Sequence, residues 1–463
     1  MTRVVFVGLL AVVALAPLPF ASNRPWSWSL LSLTVGVLTV LWAVAALRDP
    51  EAVGAPWRRI WPFVVIFAAI VGWIVAQAAT WTPEAWHHPL WRQAAEALGT
   101  PLAGSVSIDR EQTLAALMRL LAYAGVFWLA VQLGRAPARA RTIVWTVALA
   151  GFAYSVYGLV IEFTGANTIL WYQRWAYADS LTSTFVNRNA FATYAGLSLV
   201  AALGLLLDEI RRGSGGALDA APNLVWWLES LPSRLGALAL MALVIGSALL
   251  LTGSRGGLLS GLVGIVVLVA GFVAVPGSRP IVAGGIAAGA ALFVVAIVGL
   301  SGDVVLGRFD QAYEAAVGRS EVYTLVWTAI LDEPWLGAGY GTFESAFPLI
   351  RDASVDTELV YDKAHNSYLE FAFETGVPAF ALMMGLLGAL AALCVRGVRR
   401  RNHHRVFPCI GVAAAALVAT HALFDFGIQM PAVAATFCLL LGAACAQSWP
   451  TRGPPRRRSG ARA

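Results

Sequence analysis

LGALALMALVIGSALLLTGSRGG, residues 235–257, is the stretch whose reading decides the fold. Residues 235–252 carry no charge, and a second uncharged run, 257–275, follows at once. At 1.5 Å per helical residue, crossing a hydrocarbon core of about 30 Å takes about 20 residues, so each run reads as a membrane-spanning helix. The four residues between them admit only a tight turn, and that turn holds an arginine, Arg255.

The rest of the chain repeats the pattern. Its 463 residues are 59% apolar and 13% charged, against roughly 45–50% and 25% in soluble domains. The spacing predicts an all-α polytopic membrane protein of about twelve transmembrane helices. They fall near 4–20, 30–47, 62–80, 114–133, 142–161, 189–207, 235–252, 257–275, 281–299, 377–395, 407–424 and 430–446. Residues 4–20 resemble a signal peptide, but a second span follows almost immediately, which favours an uncleaved first helix.

Basic residues set the orientation. Arg48, Arg58, Arg59, Arg135, Arg139, Arg141, Arg211, Arg212 and Arg279 share one side with the run Arg396–Arg405 and the tail Arg456–Arg458. Both termini are therefore expected in the cytoplasm of a bacterium, in its inner membrane. Loops 81–113, 163–188 and 300–376 then face outward, into the periplasm. The chain reads as one integral membrane domain, 1–463, with loop 300–376 as a subregion and 447–463 as a basic cytoplasmic tail. Loop charges and anionic lipid account for the net charge of +6, so no nucleic-acid partner is expected. Cys394, Cys409, Cys438 and Cys445 lie in or near the cytoplasmic ends of the last spans, which argues against structural disulfides. HExxH, CxxC, Walker and GxSxG patterns do not occur. No cofactor and no metal are expected. His87-His88 point apart on a helix and read as interfacial histidines.

Loop 300–376 is too aromatic and too apolar for a linker. Helices are expected from Asp310 to Leu331, ended by Pro334, then from Phe343 to Ile350 and from Ser367 to Glu374. The segment 334–341, PWLGAGYG, reads as a glycine turn. The loop is therefore expected to be a folded cap.

The cap ends on DKAHNSYLE, residues 362–370, which contains the chain's only lysine, Lys363. A titratable cluster at a membrane surface is costly unless it is used. His365 is the candidate general base, with Asn366 and Glu370 as orienting groups and Lys363 unassigned. Asp425, between Phe424 and Phe426, needs a partner, and His365 or an arginine would serve. Four arginines on the outward side stand out. Arg255 lies in the tight turn, where a snorkelling interfacial residue is the plain alternative. Arg188 lies in FVNRN, residues 185–189, where the asparagines also suit helix capping. Arg319 lies in VGRSE, where a surface pair with Glu314 or Glu321 is the alternative. Arg308 is less distinctive. Several fixed guanidinium groups and one base suit a lipid-linked pyrophosphate, whose departure positive charge would stabilise.

In these motifs and their order the chain resembles the O-antigen ligase and polymerase family of bacterial membrane glycosyltransferases. The resemblance rests on TGSRGG (252–257), PWLGAGYGTF (334–343) and AHNSYLE (364–370) continuing to Glu374-Thr375-Gly376, and is densest over about 185–440. It implies transfer of a glycan from undecaprenyl pyrophosphate to an acceptor hydroxyl at the periplasmic face, with inversion, and without metal or nucleotide sugar. It implies that Arg255 and Arg319, with Arg188, meet the pyrophosphate, and that His365 and Asp425 are catalytic. The acceptor it implies is lipid A core, for a ligase, or a growing glycan, for a polymerase; ligation is slightly favoured. A lipid or glycan transporter is the alternative of a different class, and would place its charges at the bilayer midplane.

Overall fold

The structure is a computed structural model that describes residues 1–213, 234–273, 309–356, 358, 360–401 and 404–449, with backbone alone for 309–318. The expected span 281–299, Arg308 and nearly all of the tail 447–463 lie outside the described residues.

Helices account for most of it. In chain order they are α1 (Thr2–Leu15), α2 (Pro25–Arg48), α3 (Trp57–Ala78), α4 (Leu90–Leu98), α5 (Arg110–Leu133), α6 (Pro137–Thr164) and α7 (Arg188–Gly213). There follow α8 (Arg234–Leu251), α9 (Arg255–Val273), α10 (Phe309–Asp332), α11 (Phe343–Ile350), α12 (Ser367–Thr375), α13 (Val377–Arg400), α14 (Val406–His421) and α15 (Pro431–Ser448). Among the described residues, nine of these are long and apolar enough to cross a bilayer, and α1 and α14 are apolar but shorter. The only sheet among the described residues is a two-residue pairing of β1 (Thr168–Ile169) with β2 (Tyr172–Gln173). The protein is thus an all-α polytopic membrane protein.

Local chemistry sets the helix ends. Asp109 caps α5 by accepting the Gln112 amide at 3.0 Å. Proline opens α2, α6, α13 and α15, where its missing N–H costs nothing. The first span is shorter than the apolar run suggests. It stops at Leu15 because Pro17 and Pro19 withdraw backbone donors, and Phe20, Ala21 and Ser22 then take positive φ (54°, 58° and 57°).

α15 is the central post, with 94% of its apolar window buried, and α7 is next with 83%. α15 packs on α5, α13 and α14; α7 packs on α6, α8, α9 and α14. Small residues make this possible, because van der Waals contact rather than water exclusion holds helices together in lipid. At Gly442 an added Cβ would lie 2.7 Å from the Phe127 carbonyl oxygen, so no larger residue lets α15 approach α5 this closely.

Over one end of the bundle α10, α11 and α12 form a cap with a hydrophobic core of its own. Val322, Val326 and Ile330 from α10 meet Phe343 and Phe347 from α11 and Phe373 from α12. The stretch 334–341 ties this cap to the bundle. The amides of Ala338 and Gly339 donate to the carbonyls of Phe373 (3.1 Å) and Glu374 (2.9 Å). Gln77 of α3 donates to the Leu336 and Glu374 carbonyls at 2.7 and 2.9 Å and accepts the Tyr340 amide at 3.2 Å. Gly339 has φ +111°, and an added Cβ would sit 2.3 Å from Ser107 Oγ.

Gly339→Ala is therefore expected to destabilise the protein by at least about 1–3 kcal/mol, from left-handed strain and the clash together. Thermal unfolding in detergent checks this against Gly385→Ala, whose added methyl meets nothing within 4 Å and should leave the midpoint near wild type.

Candidate functional site

The cap and the bundle meet at Asp425. Its side chain is 4% exposed, and burial alone would raise its carboxyl. The hydrogen bond and charge of His365, the charge of His421 and the Phe426 amide outweigh burial and hold it below the ordinary carboxylate range. His365 Nδ1–H donates to Oδ1 at 3.3 Å, the Phe426 amide donates to the same oxygen at 2.7 Å, and Asn189 Nδ2–H donates to Oδ2. The carboxylate thus joins three elements: the cap residue before α12, the first turn of α7 and the corner after α14.

His365 is held by its backbone as much as by its ring. It has φ +53°, a conformation that costs a non-glycine residue energy and persists only where neighbours impose it. Tyr323 of α10 donates its hydroxyl to the His365 carbonyl at 2.8 Å. On one side, Glu370 accepts the Ala364 amide at 2.8 Å. On the other, Asn366 Oδ1 caps α12 by accepting the amides of Tyr368 and Leu369, both at 3.1 Å. Ser367 completes the clamp, donating its amide to the Ala422 carbonyl (2.9 Å) and its hydroxyl to the Asp425 carbonyl (3.0 Å). The imidazole stands edge-on to Phe426, 5.1 Å between ring centres. With Nδ1 committed to Asp425, Nε2 is the nitrogen left for proton transfer, and the carboxylate stabilises the imidazolium that results.

Behind His365 lies a second titratable group. Glu370 accepts from Lys363 Nζ at 3.2 Å, and Glu374 Oε1 accepts the Phe343 amide at 3.0 Å. Burial first, then the nearby charge of Glu370, pushes the Glu374 carboxyl up to about 8, against the pull of Lys363 and the Gly341 and Phe343 amides. Burial would lower the Lys363 ammonium, yet the two glutamates outweigh it and the net shift is upward. At neutral pH Glu374 is thus largely protonated, and the cluster carries one ion pair rather than an excess anion.

A cavity of about 920 Å³ opens beside these groups. Its mouth is lined by Arg24, Arg119, Tyr177, Asn187, Asp362, Lys363, His365 and Glu370. Its inner part is apolar and runs between α13 (Met383, Met384, Leu387, Gly388, Ala391), α14 (Val412, Ala415, Ala416, Ala419) and α15 (Ala434, Phe437, Cys438, Leu441). From Met383 to Ala391 it follows α13 for about 12 Å.

The sequence-derived candidates occupy different places around this cavity. His365 and Glu370 line it, and Asp425 stands directly behind His365. Arg188 donates to Ser180 Oγ at 3.0 Å, with its guanidinium 5.6 Å from the Tyr177 ring. The capping seen in its asparagines also holds: Asn187 Oδ1 accepts the amides of Asn189 (2.7 Å) and Ala190 (3.1 Å). Burial raises the Tyr177 phenol, the charges of Asp425 and Asp362 add to this, and Arg188 and Arg319 act against it. The same tyrosine therefore lies in the field of both arginines. Arg255 is exposed at the start of α9, next to Gly256, where an added Cβ would lie 3.5 Å from Phe424 and 3.9 Å from His421. That places Arg255 by the corner that carries Asp425. Arg188, Arg255 and Arg319 are not among the residues that line the cavity.

Three partners escaped the sequence reading. Asn189 was seen only as a flank of Arg188. His421 exchanges a hydrogen bond with Thr193 across α14 and α7 (Nδ1 to Oγ1, 3.0 Å), which only packing reveals. Arg119 lay inside a span, 114–133, and an arginine within an apolar span was itself the signal.

Fold and site together define a class: a multi-pass membrane protein with a capped, lipid-scale cavity and a histidine–aspartate pair at its mouth. More narrowly, the chain carries an O-antigen ligase family domain over residues 238–384, from within α8 into α13. The match includes Arg255, Arg319, His365, Glu370 and Glu374, and leaves out Arg188 and Asp425. The family is of membrane glycosyltransferase type. No curated protein matches the chain in sequence comparison.

The Glu374 carboxyl gives a pH prediction. Its ordinary unfolded value is about 4.3. Between there and about 8 the folded protein keeps a proton that the unfolded chain releases, so stability falls as pH rises through that window. Glu374→Gln retains an acceptor for the Phe343 amide and should flatten the decline. Unfolding midpoints at pH 5 and pH 8.5 check it: a variant that loses as much as wild type does would show that Glu374 is ionised in the fold.

Proposed function

We propose that the protein is an inverting glycosyltransferase of the bacterial inner membrane. It moves a glycan from undecaprenyl pyrophosphate to an acceptor hydroxyl at the periplasmic face, by O-antigen ligation to lipid A core. The observation that carries this reading is the His365–Asp425 pair at the mouth of a cavity whose inner part is apolar and long enough for a prenyl segment. The family domain supports the reaction type. The concentration of arginine on the opposite loops supports cytoplasmic termini and a periplasmic cap.

In this reading His365 Nε2 takes the proton from the acceptor hydroxyl as its oxygen attacks the anomeric carbon. The bond from that carbon to the pyrophosphate oxygen breaks, and the lipid pyrophosphate leaves with the bonding pair. One displacement inverts the centre. Asp425 keeps Nδ1 protonated and stabilises the imidazolium. Arg255 and Arg319, with Arg188, offer fixed positive charge to the leaving group, and fixed charge needs no reorganisation as the bond breaks. Their place beside the corner and around Tyr177 is within the same region as the pair, which supports this role.

His365→Ala is expected to lower turnover by about 10²–10⁴ with expression unchanged, and Asp425→Asn to lower it less. Both are measured by transfer from purified carrier-linked glycan in excess chelator; full activity of His365→Ala would sink the assignment of the base. Arg255→Ala and Arg319→Ala should weaken donor binding about tenfold or more, read by titration with the carrier lipid. Deleting the gene separates acceptors: carrier-linked polymer with bare lipid A core indicates ligation, whereas a single repeat unit on the core indicates polymerisation.

A further inference from the structure

Two arginines in the cavity belong neither to the family domain nor to the histidine–aspartate pair. Arg119 lies within α5, nine residues beyond Arg110, or about 13 Å along the helix axis. Arg24 is the N-cap residue of α2. Trp28 links them: it follows Arg24 by one turn of α2, and the Arg119 guanidinium lies 5.5 Å from its ring. Arg24 in turn stands 5.2 Å from the Trp175 ring and 5.8 Å from Phe20. Among the described residues neither guanidinium forms an ion pair with a carboxylate. Of the acids that line the cavity, Glu370 is bound to Lys363, Glu374 is mostly neutral at pH 7, and Asp362 forms no ion pair with either arginine.

An arginine inside an apolar helix is retained at a cost, and one that faces a cavity marks the path of a charged group. An aromatic ring engages the face of a guanidinium and leaves its N–H edge for hydrogen bonds, the edge that grips phosphate oxygens in pairs. We propose that Arg24 and Arg119 form a phosphate subsite in the cavity mouth. It holds the phosphate at the head of an amphipathic substrate whose chain lies along α13, α14 and α15. The ligand is thus a lipid-anchored phosphate or pyrophosphate, carried by the donor lipid or by a phosphorylated acceptor glycolipid. This rests on the reading of the cavity as a lipid-substrate site, but the two arginines act independently of Arg255 and Arg319.

The test uses the full chain in detergent and native mass spectrometry of lipid binding. The probes are undecaprenyl pyrophosphate and undecaprenol, and phosphorylated lipid A core and its dephosphorylated form. Wild type should prefer the phosphorylated member of at least one pair. Arg119→Gln and Arg24→Gln should each weaken that member by about ten- to a hundredfold and change its phosphate-free twin by less than about twofold. Whichever phosphorylated probe responds identifies the source of the phosphate. Arg119→Lys keeps the charge without the fork and should recover part of the loss. Arg24→Gln lies at a helix end, so it reports even if Arg119→Gln fails to fold. The proposal is overturned if wild type does not discriminate within either pair, or if Arg24→Gln and every folded Arg119 variant bind all four probes as wild type does. Arginine-dependent phosphate binding without any glycan transfer would count against the enzyme reading alone. Normal transfer with unaltered phosphate binding in Arg24→Gln and Arg119→Gln would count against the subsite alone.

Discussion

A buried carboxylate must be satisfied from every side, and at Asp425 that requirement brings the cap onto the bundle. Two oxygens take one imidazole, one amide side chain and one backbone N–H, and these come from three separate parts of the chain. Losing any donor would leave charge buried without compensation, which costs more than the bond itself contributed. The corner after α14, the start of α7 and the turn before α12 are therefore fixed relative to one another. His365, in a strained backbone conformation, stays in place because that network and the Tyr323 hydroxyl hold both its ring and its carbonyl.

The same logic explains how a soluble-looking cap can sit firmly on a membrane bundle. The cap has its own aromatic core, but its attachment is polar. Gln77, at the end of a membrane helix, places one side-chain amide against three backbone groups of the cap. Glu374 does the converse, accepting backbone N–H groups of the glycine loop from a buried position. Because Glu374 keeps its proton, the cap–bundle seam adds no unpaired anion beside the cavity.

Much of this was readable in the chain, and the parts that were not share a cause. The spans at 235–252 and 257–275 were legible because a bilayer admits few solutions: backbone polar groups must be satisfied within the segment, so length and apolarity suffice. The cap helices were legible from Pro334, Gly376 and apolar spacing. His365 stood out because a titratable residue crowded by others at a membrane face is conspicuous. Asp425 was seen to need a partner, yet the choice between His365 and an arginine was open. Asn189 and the Thr193–His421 pair had no local signal at all, since each depends on α7 and the α14 corner meeting. Arg119 did have a signal, an arginine within an apolar span, but which way it faces depends on how α5 packs.

The sequence by itself determined that the chain is helical, crosses a membrane many times and carries a folded polar segment rich in titratable groups. It did so because hydrophobic length and helix punctuation act over a few residues. Only the tertiary structure decided which groups share the cavity. His365 and Glu370 line it alongside Arg24 and Arg119, while Arg188, Arg255 and Arg319 are not among its lining residues. Pairing across hundreds of residues is set by how small residues let helices approach, and no local pattern encodes that distance.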